Sequence, residues 1–138
     1  MASIQVGRFD QLKGADTLLI EVDTGGLTAL VASFRALGDG EQQRVEFHKL
    51  PGAISHCGIV LLGEVSLNDI GLREPRPGQL LWRRSSDGWT DLADKLAALE
   101  GVSSGHQYLD GPPDGIQVIA AIGEYGESWW SEHGDRSS

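Results

Sequence analysis

Between residues 88 and 100, Trp89, Leu92, Ala93, Leu96 and Leu99 recur at helical spacing, and Asp91, Asp94, Lys95 and Glu100 fill the remaining positions. An amphipathic helix of this kind must bury its apolar stripe against another element, so it constrains the fold more than any other stretch. Asp87 or Ser86 caps its start and Gly101 ends it. A second helical pattern (Leu27, Leu30, Val31, Phe34, Leu37) runs from about 27 to 37, after the turn Asp23-Thr24-Gly25-Gly26, and stops at Gly38. The other apolar segments are short and alternate or run continuously, as strands do. They are residues 3–9, 17–22, 43–50, 57–65, 79–84 and 116–122. In 43–50, Val45, Phe47 and Leu50 are expected to face inward, and Arg44, Glu46 and His48 outward. The segment 57–65 is the most apolar and is expected to lie centrally. Residues 66–78, with Pro75 and Pro77, and residues 102–115 read as loops. No internal repeat is visible. The expectation is an α+β fold, with two helices packed on one face of a largely antiparallel sheet of about five or six strands. It would form a single domain over 1–130, followed by a flexible tail at 131–138.

A chain of 138 residues is long enough for one sizeable core. Its formal charge of −9 is unevenly spread. Residues 87–138 carry ten acidic side chains and only Lys95 and Arg136 as basic ones, whereas residues 1–86 are almost balanced. Such a balance argues against nucleic acid or an anionic membrane as partner. The one cysteine, Cys57, allows no internal disulfide and fits a reducing compartment. The N-terminal stretch lacks a leader pattern, and no apolar run approaches the roughly 20 residues that span a bilayer. A cytoplasmic protein is expected.

Several constellations could carry chemistry. Thr17–Gly26 (TLLIEVDTGG) resembles the active-site turn of retropepsin-like aspartic proteases. The resemblance implies a dimer in which Asp23 would be the catalytic acid–base group, with Thr24 and Gly25 as supports and Ala121-Ile122-Gly123 as the later segment behind the turn. The chain departs from that pattern at Gly26, and a helix follows where the family has strands. Capping of helix 27–37 by Asp23 or Thr24 is the competing assignment. His56 and Cys57 are neighbours in what reads as a strand start, so they point to opposite faces, and a buried, inert Cys57 is expected. His106, Asp110 and Asp114 have ligand spacing only on a helix, and the surrounding glycines and prolines make a loop. No metal or cofactor is expected. Arg73, Arg76, Arg83 and Arg84 cluster around Trp82, as a solvated face pairing with the acidic region or as a surface toward a dimer partner.

In the C-terminal third, Tyr108, Tyr125, Trp129 and Trp130 are interleaved with Asp110, Asp114, Glu124, Glu127 and Glu132. Aromatics supply contact area and carboxylates steer a basic partner. HQYLDGPPDGIQVIAAIGEYGESWW, residues 106–130, resembles the C-terminal part of small bacterial immunity proteins of polymorphic-toxin systems. That resemblance implies a cytosolic inhibitor that covers the active site of a toxin, commonly a nuclease. The expectation is a non-enzymatic, acidic protein-binding domain whose partner-binding residues are Asp91, Asp94, Tyr108, Asp110, Asp114, Glu124, Tyr125, Glu127, Trp129 and Trp130. The alternatives are the aspartic protease using Asp23, and an oligomeric accessory protein, such as a homodimer, joined through the Trp pair.

Overall fold

The computed structural model describes residues 3–12, 15–111 and 116–133. Among the described residues there are nine strands and three helices: β1 (Ile4–Leu12), β2 (Ala15–Val22), α1 (Thr24–Asp39), β3 (Arg44–Glu46), β4 (Ala53–Ser55), β5 (Val60–Val65), β6 (Gly71–Arg76), β7 (Gln79–Arg84), α2 (Ser86–Ala97), β8 (Gly105–Asp110), β9 (Gln117–Ile122) and α3 (Glu127–His133). The α+β class holds. The single, largely antiparallel sheet does not: the strands divide into a five-stranded sheet, β4-β1-β2-β9-β8, and a four-stranded one, β3-β5-β7-β6, and both are mixed.

The division follows an internal repeat that the sequence did not reveal. Each half runs hairpin, helix, then two antiparallel strands, β1-β2-α1-β3-β5 and β6-β7-α2-β8-β9; the first half adds the short β4 between β3 and β5, which pairs with β1. Each half then lends its last strand to the other half's hairpin. β2 pairs in parallel with β9, and β7 pairs in parallel with β5. Both helices start one residue after their strand, each with a capping side chain that accepts a hydrogen bond from the third helical residue. Asp23 Oδ1 accepts from Gly26 N–H at 2.7 Å, and Ser85 Oγ accepts from Gly88 N–H at 3.0 Å. Gly26 and Gly88 are both required by a close approach of the preceding segment. A Cβ at Gly26 would strike the Ser3 carbonyl, and one at Gly88 the Asp69 carboxylate.

One core joins the inner faces of both sheets to α1 and α2. Phe34 on α1 is its centre, edge-on to Phe47, Trp82 and Trp89 at centroid distances of 5.6, 5.4 and 5.3 Å. Such pairs add about 0.5–1.5 kcal/mol each beyond their buried area. The buried indoles also find acceptors: Trp82 Nε1 donates to Asp110 Oδ2 at 2.8 Å and Trp89 Nε1 to the Glu64 carbonyl at 2.9 Å. Trp89, Leu92, Ala93, Leu96 and Leu99 are all buried, as their spacing required.

Several local expectations are corrected. Helix α1 starts three residues before Leu27, and Gly38 lies inside it against Thr90 of α2, whereas the left-handed stop is Gly40, at φ 82°. Ser85 caps α2 rather than Asp87 or Ser86. Residues 71–76 form strand β6 despite two prolines nearby. β6 is an edge strand whose ladder is irregular between Arg73 and Arg76, where Pro75 needs no partner for a missing N–H. Residues 105–110 form edge strand β8, not a loop. His48 does not face solvent: after Glu46 the chain enters a 3₁₀ turn (Phe47–Lys49), and His48 Nδ1 accepts from Leu61 N–H at 3.1 Å. Cys57 is exposed rather than buried, in a second 3₁₀ turn (His56–Gly58) with φ 59°. Part of the expected tail, 131–133, belongs to α3, and 134–138 lie outside the described residues.

Candidate protein-binding surface

The carboxylates and aromatics of the C-terminal third divide among three locations. Asp91 and Asp94 project from the exposed side of α2, where Asp94 lies 3.3 Å from Arg35 of α1. Tyr108 stands on the outer face of edge strand β8, 49 % exposed, beside His106. Glu124, Tyr125 and Glu127 lie in the turn leading from β9 into α3 and at the helix start.

Asp110 is not on the surface. Its side chain is only 4 % exposed. It accepts from Trp82 Nε1 and from Arg84 Nε at 3.0 Å, and it pairs with the Arg84 terminal nitrogen as well. The carboxylate thus bolts β8 of one sheet to β7 of the other. Trp130 is not exposed either, at 2 %. α3 lies on the outer face of the five-stranded sheet, where Trp130 packs with Phe9, Leu19, Ile119 and Ala121, and Tyr125 and Trp129 close the edges. Trp129 is half-buried, edge-on to Phe9 at 5.1 Å and to Tyr125 at 4.7 Å. The two adjacent tryptophans are therefore accommodated by this chain itself, which removes Trp130 as an exposed anchor. Asp114 lies outside the described residues.

Glu21, not singled out from the sequence, holds this arrangement. It is 7 % exposed. Its Oε1 accepts from Trp130 Nε1 at 2.9 Å, and its Oε2 accepts from the backbone N–H of Glu124 (3.1 Å) and Tyr125 (2.6 Å). A buried carboxylate with three donors is satisfied without a counter-charge. The available signal was an acidic residue within the apolar run 18–22. On its far side Trp130 stacks with His56 at 4.5 Å, and His56 Nε2 is 2.8 Å from Gln5 Oε1.

These groups border an open cleft of about 500 Å³ at the C-terminal ends of the parallel strands β2 and β9. Glu21, Asp23, Tyr125, Gly126 and Glu127 are among its walls. Glu124 stands at the same turn, with His106 Nδ1 at 2.9 Å. Burial pushes the Asp23 carboxyl up, but the hydrogen bonds from Gly26 and Ser3 outweigh it, and the net displacement is downward. Asp23 is therefore held as a carboxylate, with Oδ1 accepting from Gly26 N–H and from Ser3 N–H at 2.9 Å. That is capping geometry, in which the two donors stabilise the charged form.

The arginine cluster also splits. Arg84 turns inward to Asp110, whereas Arg73, Arg76 and Arg83 are exposed on the outer face of the four-stranded sheet. A second cleft, of about 610 Å³, is lined by Arg8, Asp10, Cys57, Ile59, Glu74 and Pro77. Arg8 and Glu74, equivalent positions in the two halves, meet there with Nε 2.9 Å from Oε1. Among the described residues no three His, Cys, Asp or Glu side chains converge as a metal site would need, and no helix is long and apolar enough to cross a membrane. Comparison with protein families, curated proteins and solved structures finds no match for this chain.

Proposed function

We propose that the chain is a non-catalytic binding domain for a basic protein, and that its concrete role is neutralising a toxin such as a nuclease. The observation that supports this is the acidic cleft at the ends of β2 and β9. Glu127 is exposed at its rim, Glu21 and Asp23 stand fixed in its wall, and Tyr125 offers aromatic area beside them. Glu124 stands exposed at the turn beside the cleft, and Asp91 and Asp94 are exposed carboxylates on α2 that add to the negative field at longer range. Carboxylates held where a nuclease would bind phosphates capture a basic site quickly by charge steering. The binding set is accordingly Asp91, Asp94, Tyr108, Glu124, Tyr125, Glu127 and the exposed edge of Trp129, with Asp110 and Trp130 serving the interior.

The test is association with the product of the neighbouring gene, measured at low and high salt. Reversing Asp91, Asp94, Glu124 and Glu127 to Lys is expected to slow association at least about tenfold at low salt, with a smaller effect at high salt. An unchanged association rate would remove the steering surface, and a neighbouring gene product that the chain does not bind would remove the toxin-neutralising role.

A further inference from the structure

The internal repeat makes the two outer sheet faces directly comparable. On the five-stranded sheet one row across the strands reads Gly7, Leu19, Ile119, Tyr108. The equivalent row on the four-stranded sheet reads Arg73, Leu81, Leu62, Glu46. The next row reads Gln5, Glu21, Ala121, His106 on the first sheet and Gly71, Arg83, Glu64, Arg44 on the second. The first face is covered: α3 lays Trp130 over Leu19 and Ile119, and Glu21 fixes the indole. A Cβ at Gly7 would collide with the Trp130 ring, so that glycine makes the space. The second face carries no such cover among the described residues; Leu62 and Leu81 remain partly exposed at its centre and Val60 at its end.

Its rim has the opposite charge from the rest of the molecule. Arg44, Arg73, Arg76 and Arg83 stand against Glu46 and Glu64. Glu64 is shared by Arg83 (3.2 Å) and Arg44 (3.7 Å), Glu46 pairs with Lys49, and Arg73 and Arg76 make no ion pair among the described residues. In a chain of net charge −9 this arginine-ringed apolar strip is a local exception. Screening over about 8 Å at physiological salt lets that local sign decide what docks there.

We propose that the outer face of the four-stranded sheet is a second docking surface, which takes an acidic amphipathic helix of a partner protein. The helix would lay an aromatic or aliphatic anchor across Leu62 and Leu81 and set its carboxylates on Arg73, Arg76 and Arg83. The same chain supplies the precedent: α3, Glu-Ser-Trp-Trp-Ser-Glu-His, is acidic and aromatic and covers the equivalent positions of the other sheet. A face with an apolar centre and two glutamates suits such a helix better than a polyphosphate. The surface lies apart from the acidic cleft and attracts the opposite charge, so its failure and that of the proposed function are separately visible.

The experiment uses the full chain, ¹⁵N-labelled, titrated with a synthetic peptide of sequence EYGESWWSEH. Shift changes centred on residues 60–64, 71–76 and 79–83 are expected. Arg73→Glu and Arg76→Glu, each checked for an unchanged far-UV spectrum, should weaken binding about tenfold together. A peptide with both tryptophans changed to Ala should lose the apolar part of the affinity. Because neither Arg73 nor Arg76 makes an ion pair among the described residues, these variants are expected to keep the fold where Arg83→Glu disturbs Glu64. No shifts, or shifts confined to the α3 side, would overturn the proposal. Concentration-dependent self-association through this face would assign it to a second copy, and saturable binding of a short single-stranded DNA in place of the peptide would assign it to nucleic acid; either result overturns it as well.

Discussion

On the first sheet Leu19 and Ile119 lie side by side beneath Trp130, and on the second the equivalent Leu81 and Leu62 lie side by side partly open. The inner faces show the reverse economy. The first half places Val22 at the end of its second strand, in the common core, whereas the second half places Arg84 there and must bring in the buried Asp110 to neutralise it. One topology thus tolerates two solutions at matching positions, because the backbone pairing and the caps define it and the side chains on each face are then chosen separately. The sheet with a helix on its outer face has a dry one. The sheet without one has arginines there.

Three pairs of substitutions and one single change can break or sharpen this comparison. The largest expected difference is at the strand ends. Arg84→Ala strands a buried carboxylate and should cost about 3–5 kcal/mol, from urea unfolding midpoints. Val22→Ala at the equivalent position should cost about 2 kcal/mol. Equal losses would mean that Asp110 reaches water when Arg84 is gone. Next come the outer faces, where Leu19→Ala should cost about 3 kcal/mol and Leu81→Ala about 1 kcal/mol or less. A costly Leu81→Ala would show that the second face is covered in solution.

The glycines at the helix starts follow. Gly26→Ala drives a methyl into the Ser3 carbonyl, a backbone group, and should cost about 2 kcal/mol despite the gain in helix propensity. Gly88→Ala meets the Asp69 carboxylate, which can turn aside, so its cost should stay under about 1 kcal/mol. Reversal of that order in thermal unfolding would contradict the geometry. The smallest effect concerns acid. Asp23 and Asp69 both sit below their ordinary range, Asp69 chiefly through the Ser85 backbone N–H. A carboxyl lowered by folding stabilises fully above its unfolded pKa and loses that contribution as pH falls through the folded value, so stability should decline below about pH 4. Asp23→Asn keeps a capping oxygen, so little should change at pH 7 while part of the acid decline disappears. A decline as steep as in the parent would place the titrating groups elsewhere.

Both long helices and six strands were legible because each has an apolar stripe of the right period. β4, β6 and β8 were not. All three are edge strands; β4 has only three residues, and Pro75 or the flanking Gly111-Pro112-Pro113 outweigh Leu72 and Leu109 in any local reading. The repeat was hidden for a related reason. Leu18 and Leu80, Gly26 and Gly88, Thr28 and Thr90, Leu30 and Leu92 do coincide, but the faces that differ between the halves dilute them. Asp23 was legible as a cap. The burial of Asp110 and Trp130 was not, because whether a carboxylate or an indole faces inward depends on Arg84 and Glu21, distant partners that only the pairing of strands brings near.

The exchange of last strands has a consequence in time. Gln117 Nε2 donates to Thr17 Oγ1 at 2.7 Å across 100 residues of chain. At ribosomal speed about 5–20 s separate the synthesis of β2 from that of its parallel neighbour β9. Throughout that interval the Leu18-Leu19-Ile20 edge is made but cannot close, and the first half waits, sticky, for the last.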